Sequence, residues 1–229
     1  INIIRPDINT CFTDFNFKDN NFYYALGAIK NVGYEAVSNI IKERNKNGKF
    51  KSVLDFLNRV NPKDINKLQL EGLTKAGAFD SIISNRRSFY DAIPNLIQKS
   101  KKIFDNKSQN QIDLFLKSNI NETPIVEKPE WNFQEKMLKE FETIGFYLSD
   151  HPLNQYKDIF NEYSITKYSE FITNQNQTET MVASTILKIQ EKKTQKGTSY
   201  AIIKFSDLGS VFELFVFSDV FELNRDNIK

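Results

Sequence analysis

The spacing of apolar residues changes along this chain, and that change constrains what it can fold into. In the first half, and again over residues 131–148, apolar residues recur three and four apart, the period of helices buried on one face. From Thr180 onward the period becomes two. Residues 181–189, 199–205 and 211–217 are rich in Val, Ile and Phe, with turns at Lys196-Gly197 and Leu208-Gly209-Ser210. A mostly helical part followed by about three strands predicts an α+β chain.

At 229 residues the chain is long enough for one large or two modest domains. Hydrophobic content of 40% with 13% aromatics builds packed cores and excludes general disorder. Charged residues make up 26% but nearly cancel, to a formal +2. That balance excludes a polycation, so any nucleic-acid contact must come from local patches. The single Cys11 removes intrachain disulfides, and with His151 as the only histidine a Cys/His metal site is excluded. No run approaches a membrane span and no signal pattern opens the chain. A soluble, reducing, intracellular setting is expected. The chain begins with Ile and stops in the charged residues 224–229, and so reads as a piece of something larger.

Over residues 24–44, Ala25, Leu26 and Ile29 precede a break at Lys30-Asn31-Val32-Gly33, and Ala36, Val37, Ile40 and Ile41 then recur at helical spacing. A short helix, a tight turn and a second helix is the layout of a helix-hairpin-helix module. The first amides of the second helix have no intrahelical acceptor, and the helix dipole favours anions there. A phosphodiester oxygen would sit against the backbone of Val32, Gly33 and Tyr34, with Lys30 adding charge, and would carry no base information. Gly33 is expected to supply a permissive backbone and close approach. Asn31 stands where the usual hairpin has its first glycine, and Asn tolerates a left-handed conformation. An ordinary corner between helices accounts for the same spacing.

A looser echo follows over residues 66–79, where Leu68, Leu70 and Leu73 lead into Lys75-Ala76-Gly77-Ala78-Phe79. Two such units would pair and present two helix ends to neighbouring phosphates. Between them Val53, Leu54, Phe56, Leu57 and Val60 form a core-filling helix ended by Asn61-Pro62. Arg86 and Arg87, ahead of an apolar helix over residues 89–97, either extend a basic face or lie on a solvated surface.

The polar run over residues 99–121 reads as a connector, and Gln111-Ile112-Asp113-Leu114-Phe115 interrupts it with apolar residues. A Gln-x-x-apolar-aromatic peptide offers anchors and an amide to a partner's groove. The same residues also suit a short amphipathic turn packed on their own chain. Beyond a Pro-bounded linker, residues 131–148 read as a helix with Phe133, Met137, Leu138, Phe141 and Ile144 on its apolar face. His151 reads as structural.

The three strands, with a basic first loop of Lys188, Lys192, Lys193 and Lys196, resemble the opening of an OB-fold, which binds single strands on its sheet face and loops. By alternation Ala201, Ile203, Phe212, Leu214 and Val216 face the core. Tyr200, Ile202, Lys204 and Phe215 face the nucleic-acid side, or else meet further strands.

The motifs in order identify a family resemblance. They are Arg5-Pro6-Asp7-Ile8-Asn9, Leu26-Gly27-Ala28-Ile29-Lys30-Asn31-Val32-Gly33, Lys75-Ala76-Gly77-Ala78-Phe79-Asp80, the pentapeptide, and Gly145-Phe146-Tyr147-Leu148-Ser149-Asp150-His151-Pro152-Leu153. Together they resemble the bacterial DNA polymerase III alpha subunit family of C-family replicative polymerases over nearly the whole chain.

That resemblance implies residues 1–22 as the end of the fingers and residues 23–100 as a tandem helix-hairpin-helix domain on duplex DNA. Residues 101–130 would be a linker carrying the sliding-clamp motif, residues 131–175 a connecting helical region, and residues 176–229 the first portion of an OB domain. Gln111 would fill a small clamp subsite and Leu114 and Phe115 its hydrophobic pocket. The implied partners are double-stranded DNA, single-stranded template, the sliding clamp (beta subunit) and other holoenzyme subunits, in the bacterial cytoplasm and with no membrane. The parent polypeptide would be a DNA-directed DNA polymerase, a nucleotidyltransferase using two divalent metal ions, Mg, in a palm. No stretch here matches that palm, so the segment is expected to lack catalytic residues, metal and cofactor. A helix-hairpin-helix repair enzyme, a glycosylase or nuclease, is the other reading. It calls for a Lys or carboxylate site that no motif here supplies. A scaffold that binds only protein is a third.

Overall fold

The computed structural model describes residues 1–108, 125–174 and 176–228. They divide into two compact units, Ile1–Ser149 and Asp150–Lys229.

The first unit opens on a small sheet of β1 (Asn2–Ile4), β2 (Asn16–Lys18) and β3 (Asn21–Tyr23), in the order β1-β3-β2. Asp19 and Asn20 take φ of 50° and 61°, the left-handed pair that a two-residue hairpin requires. Of Phe12, Phe15 and Phe17, which alternate as a strand would, only Phe17 lies on β2. The Phe12 and Thr13 carbonyls accept instead from the amides of Leu26 and Gly27, at 2.9 and 3.0 Å. Those bonds also hold residues 26–28 as a single 3₁₀ turn, so the first arm of the hairpin is shorter than the helix its spacing suggests.

Five helices of this unit, α1 (Tyr34–Asn47), α2 (Val53–Arg59), α3 (Lys67–Lys75), α4 (Arg86–Ser108) and α5 (Phe133–Ile144), contribute to its packing. Each short helix has a local start signal. Ser52 accepts from the Asp55 amide at α2, Asn66 and Gln69 form a capping box at α3, and Asn132 accepts from the Glu135 amide at α5. Phe50, Phe56, Phe79 and Phe89 run edge-to-face through the core with centroids 5.1, 5.1 and 4.9 Å apart. They join the loop after α1, α2, the turn after α3, and α4. Such contacts add about 0.5–1.5 kcal/mol per pair beyond burial.

Two helices depart from expectation. α4 continues to Ser108, ten residues into the polar run. α5 buries Met137 and Ile144 of its expected face, but with Glu140 and Thr143 beside them, while Phe133 and Leu138 stay 39% and 54% exposed. The helix buries a carboxylate in place of a leucine because partners for that carboxylate are already there, as described below.

The second unit has a 3₁₀ helix (Pro152–Tyr156), α6 (Lys157–Glu162), α7 (Tyr168–Thr173), an antiparallel meander of β4 (Thr185–Lys193), β5 (Ser199–Ser206) and β6 (Val211–Val216), then α8 (Ser218–Asn224). β4 begins four residues later than its pattern suggests; the Met181 carbonyl instead accepts from the Thr166 amide at 2.9 Å. Ala201 and Ile203 are fully buried and pack with Phe221 of α8. Phe212 is buried and Val216 half-buried, as alternation predicts. Leu214, opposite Ile203, faces the same side but remains 39% exposed on the edge strand β6.

Candidate nucleic-acid interface

The turn between residues 29 and 34 is held from three directions. The Val32 amide donates to the Ile29 carbonyl at 3.1 Å, closing the turn, and the Lys30 amide donates to the Thr143 carbonyl of α5 at 2.9 Å. Behind it stands Gly72 of α3, where an added Cβ would come within 2.9 Å of the Lys30 carbonyl. Asn31 takes φ of 67°, the left-handed conformation expected of it. Gly33 does not need its freedom: it sits at φ −72°, ordinary for any residue. Its permissive backbone is therefore a wrong expectation. What its missing side chain allows is proximity, since a Cβ there would lie 3.1 Å from the Gln69 amide nitrogen.

As N-cap of α1, Gly33 supplies no side-chain acceptor, and the first-turn amides remain for another ligand. Lys30, Asn31, Gly33 and Tyr34 are exposed, whereas Val32 is buried as the turn's apolar anchor. Tyr34 donates its hydroxyl to Asp14 at 2.9 Å, and that hydrogen bond, with the carboxylate's charge, raises its phenol above the ordinary value. Gln69 brings the start of α3 beside the start of α1, so two helix N-termini are neighbours.

The Lys75–Gly77 echo is built differently. α3 closes on Gly77 at φ 80°, with the Gly77 amide donating to Thr74 and the Ala78 amide to Leu73. This is a Schellman closure, not a turn into a second helix. A Cβ on Gly77 would collide with the Arg86 guanidinium at 2.2 Å. Arg86 is 5% exposed and so belongs to the interior, not to a basic face. Its fork donates to Asp80 at 2.8 and 2.6 Å and to the Lys75 carbonyl at 3.1 Å, and it lies 3.8 Å from Glu140. Lys75 pairs with Glu142 at 2.8 Å.

The ordered motifs converge on this frame. The Ile8 amide donates to the Ala78 carbonyl at 2.7 Å and the Arg5 guanidinium to the Ser149 carbonyl at 2.8 Å. Glu140 accepts from the amides of Leu148 and Ser149 at 3.0 and 2.7 Å. Glu140, Thr143 and Gln69 gave no sequence signal; Gly72, a glycine inside a helix, did.

In the second unit, strand register places Lys188 beside Lys204, Gln190 beside Ile202 and Phe215, and Lys192 beside Tyr200 on the sheet face opposite Ala201 and Ile203. Five of the seven residues expected to meet a single strand thus share one face. Lys193 pairs with Ser199 on the other face, and Lys196 lies in the β4–β5 turn. Gln111, Ile112, Asp113, Leu114 and Phe115 lie outside the described residues. Among the described residues, no group of three or more His, Cys, Asp or Glu is placed to hold a metal ion. No helix among them is long and apolar enough to cross a membrane.

Residues 1–89 match the helix-hairpin-helix motif family. The chain is 32% identical to the DNA polymerase III subunit alpha of Borreliella burgdorferi, covering 99% of this chain and 20% of that protein. The same subunit of Campylobacter jejuni is 30% identical, over 100% of this chain and 19% of the relative. That of Rickettsia bellii is 33% identical, over 88% and 17%. The relatives of this chain are alpha subunits of DNA polymerase III. It spans about a fifth of their length. The resemblance first carried by five short motifs therefore extends through the residues between them, and the helix-hairpin-helix match covers the turn at residues 30–33.

Proposed function

We propose that this chain is a DNA- and clamp-binding portion of a replicative DNA polymerase III alpha subunit, supporting processive synthesis in the bacterial cytoplasm without carrying the catalytic site. The observation that supports duplex binding is the turn itself. Asn31 is left-handed, Gly33 leaves the α1 N-terminus uncapped by a side chain, and Lys30 stands exposed beside it. Donors of that kind take phosphate oxygens and read no sequence. The basic and aromatic face of β4 and β5, with Phe215 of β6, suits stacking and backbone contact with single-stranded template. Domain limits at residues 23–100 and 176–229 go with this reading, as do contacts to other holoenzyme subunits.

Lys30→Ala is expected to weaken duplex binding equally for unrelated sequences and to lower the salt slope by about 1. Titration of the 229-residue chain with two duplexes at several salt concentrations measures this. An unchanged slope would sink the hairpin assignment.

For the clamp, Gln111-Ile112-Asp113-Leu114-Phe115 has the amide and apolar anchors of a docking peptide. Tethering by such a peptide raises the effective concentration of enzyme at the primer end. Leu114→Ala with Phe115→Ala is expected to abolish capture by a bacterial sliding clamp while duplex affinity stays unchanged. Undiminished capture of the double variant would reject the assignment.

A further inference from the structure

α1 carries a second feature besides its N-terminus. Asn39, Lys42 and Lys46 lie three and four residues apart, so they share the helix face opposite the buried Val37, Ile40 and Arg44. Beside this stripe, where α2 ends and the loop to α3 begins, lies a cleft of about 240 Å³ lined by Asn39, Lys42, Lys46, Arg59, Asn61 and Asp64, among others.

The charges of the cleft are not all available to a ligand. Arg59 is already spent: it donates to Glu43 at 3.1 Å, to Asp55 at 3.0 Å, and to the carbonyls of Gly48 and Lys49. Glu43 is spent with it, accepting also from Asn47, and these hydrogen bonds hold its carboxyl below the ordinary value. Lys42 and Lys46 are exposed, and neither is within ion-pair distance of a carboxylate among the described residues. Asn61 uses its side-chain oxygen on the Lys63 amide, which leaves its NH₂ as a donor. Two ammonium groups and carboxamide donors then stand with two lining carboxylates, Asp64 and the Glu43 already paired with Arg59. That donor set suits an anion with several oxygens.

We infer that this cleft takes a phosphodiester of the same duplex that the α1 N-terminus grips, an inference that rests on the duplex-binding reading of the hairpin. At about 1.5 Å per residue, Lys42 lies about 13 Å and Lys46 about 20 Å along the helix from Gly33. A strand carries one phosphate per about 3.4 Å of duplex axis, so a backbone seated at the hairpin has further phosphates within that span. Lys, Asn and a helix N-terminus are all among the groups that position a protein on a DNA backbone. The cleft would fix the angle at which α1 lies on the duplex; a single grip at one helix end leaves that angle free.

The experiment measures binding of an unmodified 20-base-pair duplex by the full chain across a salt series. Wild type is compared with Lys42→Gln/Lys46→Gln and with Lys101→Gln/Lys102→Gln, which removes equal charge from α4 outside the cleft. The cleft pair is expected to lower the salt slope by about 1 to 2 and to weaken binding of unrelated duplexes equally, with the α4 pair unchanged. Equal behaviour of the two pairs would overturn the inference while leaving the hairpin reading intact. Failure of the wild-type chain to bind duplex at all would remove both. Inorganic phosphate added at constant ionic strength separates the remaining source. Competition that weakens duplex binding by wild type and not by the cleft pair is expected. Phosphate that binds the cleft and leaves duplex affinity unchanged would make it a free-phosphate site, and the inference would fall.

Discussion

Arg86→Ala is expected to destabilise the first unit by about 3–5 kcal/mol, the range for removing one member of a buried ion pair. The guanidinium is 6% exposed and serves three elements at once. It takes both Asp80 oxygens, caps the Lys75 carbonyl at the end of α3, and is the cation facing Glu140, whose side chain is 2% exposed. Asp80, at 43% exposure, can be rescued by water. Glu140 cannot: without Arg86 it keeps, among the described residues, the two amides of Leu148 and Ser149 to balance a buried charge. Arg86→Lys keeps the charge but loses the planar fork, and should fall between the two. Equilibrium unfolding of the chain in urea, followed by amide protection in α3 and α5, reads the difference. A loss below about 1 kcal/mol would mean that the fork is surface decoration, contrary to its burial.

The same cluster marks where the sequence stopped being legible. The Lys75-Ala76-Gly77-Ala78-Phe79-Asp80 motif reads as helix then glycine turn, and that much is right. Its partner, however, is an arginine that the sequence offers equally as surface charge. Nothing local announces that Gly77 is small to admit a guanidinium, because the contact joins residues nine apart through a buried pair. Likewise α5 has a plausible apolar face through Leu138, yet the fold buries Glu140 instead. Periodicity counts apolar residues and cannot see a carboxylate whose partners come from Arg86 and from residues 148 and 149. Where local chemistry decides, the reading is good. Asn31 has the left-handed backbone expected from its place in the hairpin and from its residue type.

The sheet shows the same division. Alternation alone sorted Ala201 and Ile203 from Tyr200, Ile202 and Lys204, since one register assigns every residue of a strand. It missed the start of β4, which is set by a carbonyl taken up elsewhere, and the exposure of Leu214, which depends on β6 being an edge. For the candidate interface, the hairpin was visible as a turn between periodic segments. Its supports, Gly72 and the Thr143 carbonyl, come from distant helices and carry no motif of their own.

Asp207→Ala is expected to unravel the second unit's entry into α7, at a cost of about 1–3 kcal/mol. The side chain is 4% exposed, and one oxygen accepts from the Tyr168 amide at 2.6 Å, where α7 begins. The other accepts from the amides of Gly209 and Ser210 at 2.7 and 2.6 Å, holding the β5–β6 turn. Removing the carboxylate leaves three amides without their acceptor; Gly209 is exposed and Tyr168 and Ser210 are half-buried, so water takes up part of the loss. Burial alone would push this carboxyl up, but the three amides and the Ser210 hydroxyl outweigh it and hold it below its ordinary 3.8. A depressed carboxyl contributes stability that is fully present above the unfolded value and is lost as pH falls through the folded one, hence below about 3.8. His151 acts at higher pH. Its Nδ1 accepts from the Leu153 amide at 3.2 Å, so Nε2 carries the proton toward Ser206 at 3.0 Å. Burial, opposed by the charges of Asp207 and Asp150, holds its pKa below 6.5. A half-buried histidine held neutral also loses its contribution on acidification, beginning as pH falls below 6.5. Two acid steps should therefore appear in amide protection of β5 and α7. Asp207→Asn, which keeps an acceptor oxygen but cannot titrate, should abolish the lower step and move the upper one to lower pH, because the charge that opposes burial at His151 is gone. Persistence of the lower step in that variant would show that other carboxylates cause it, and would leave Asp207 a neutral bystander in acid unfolding.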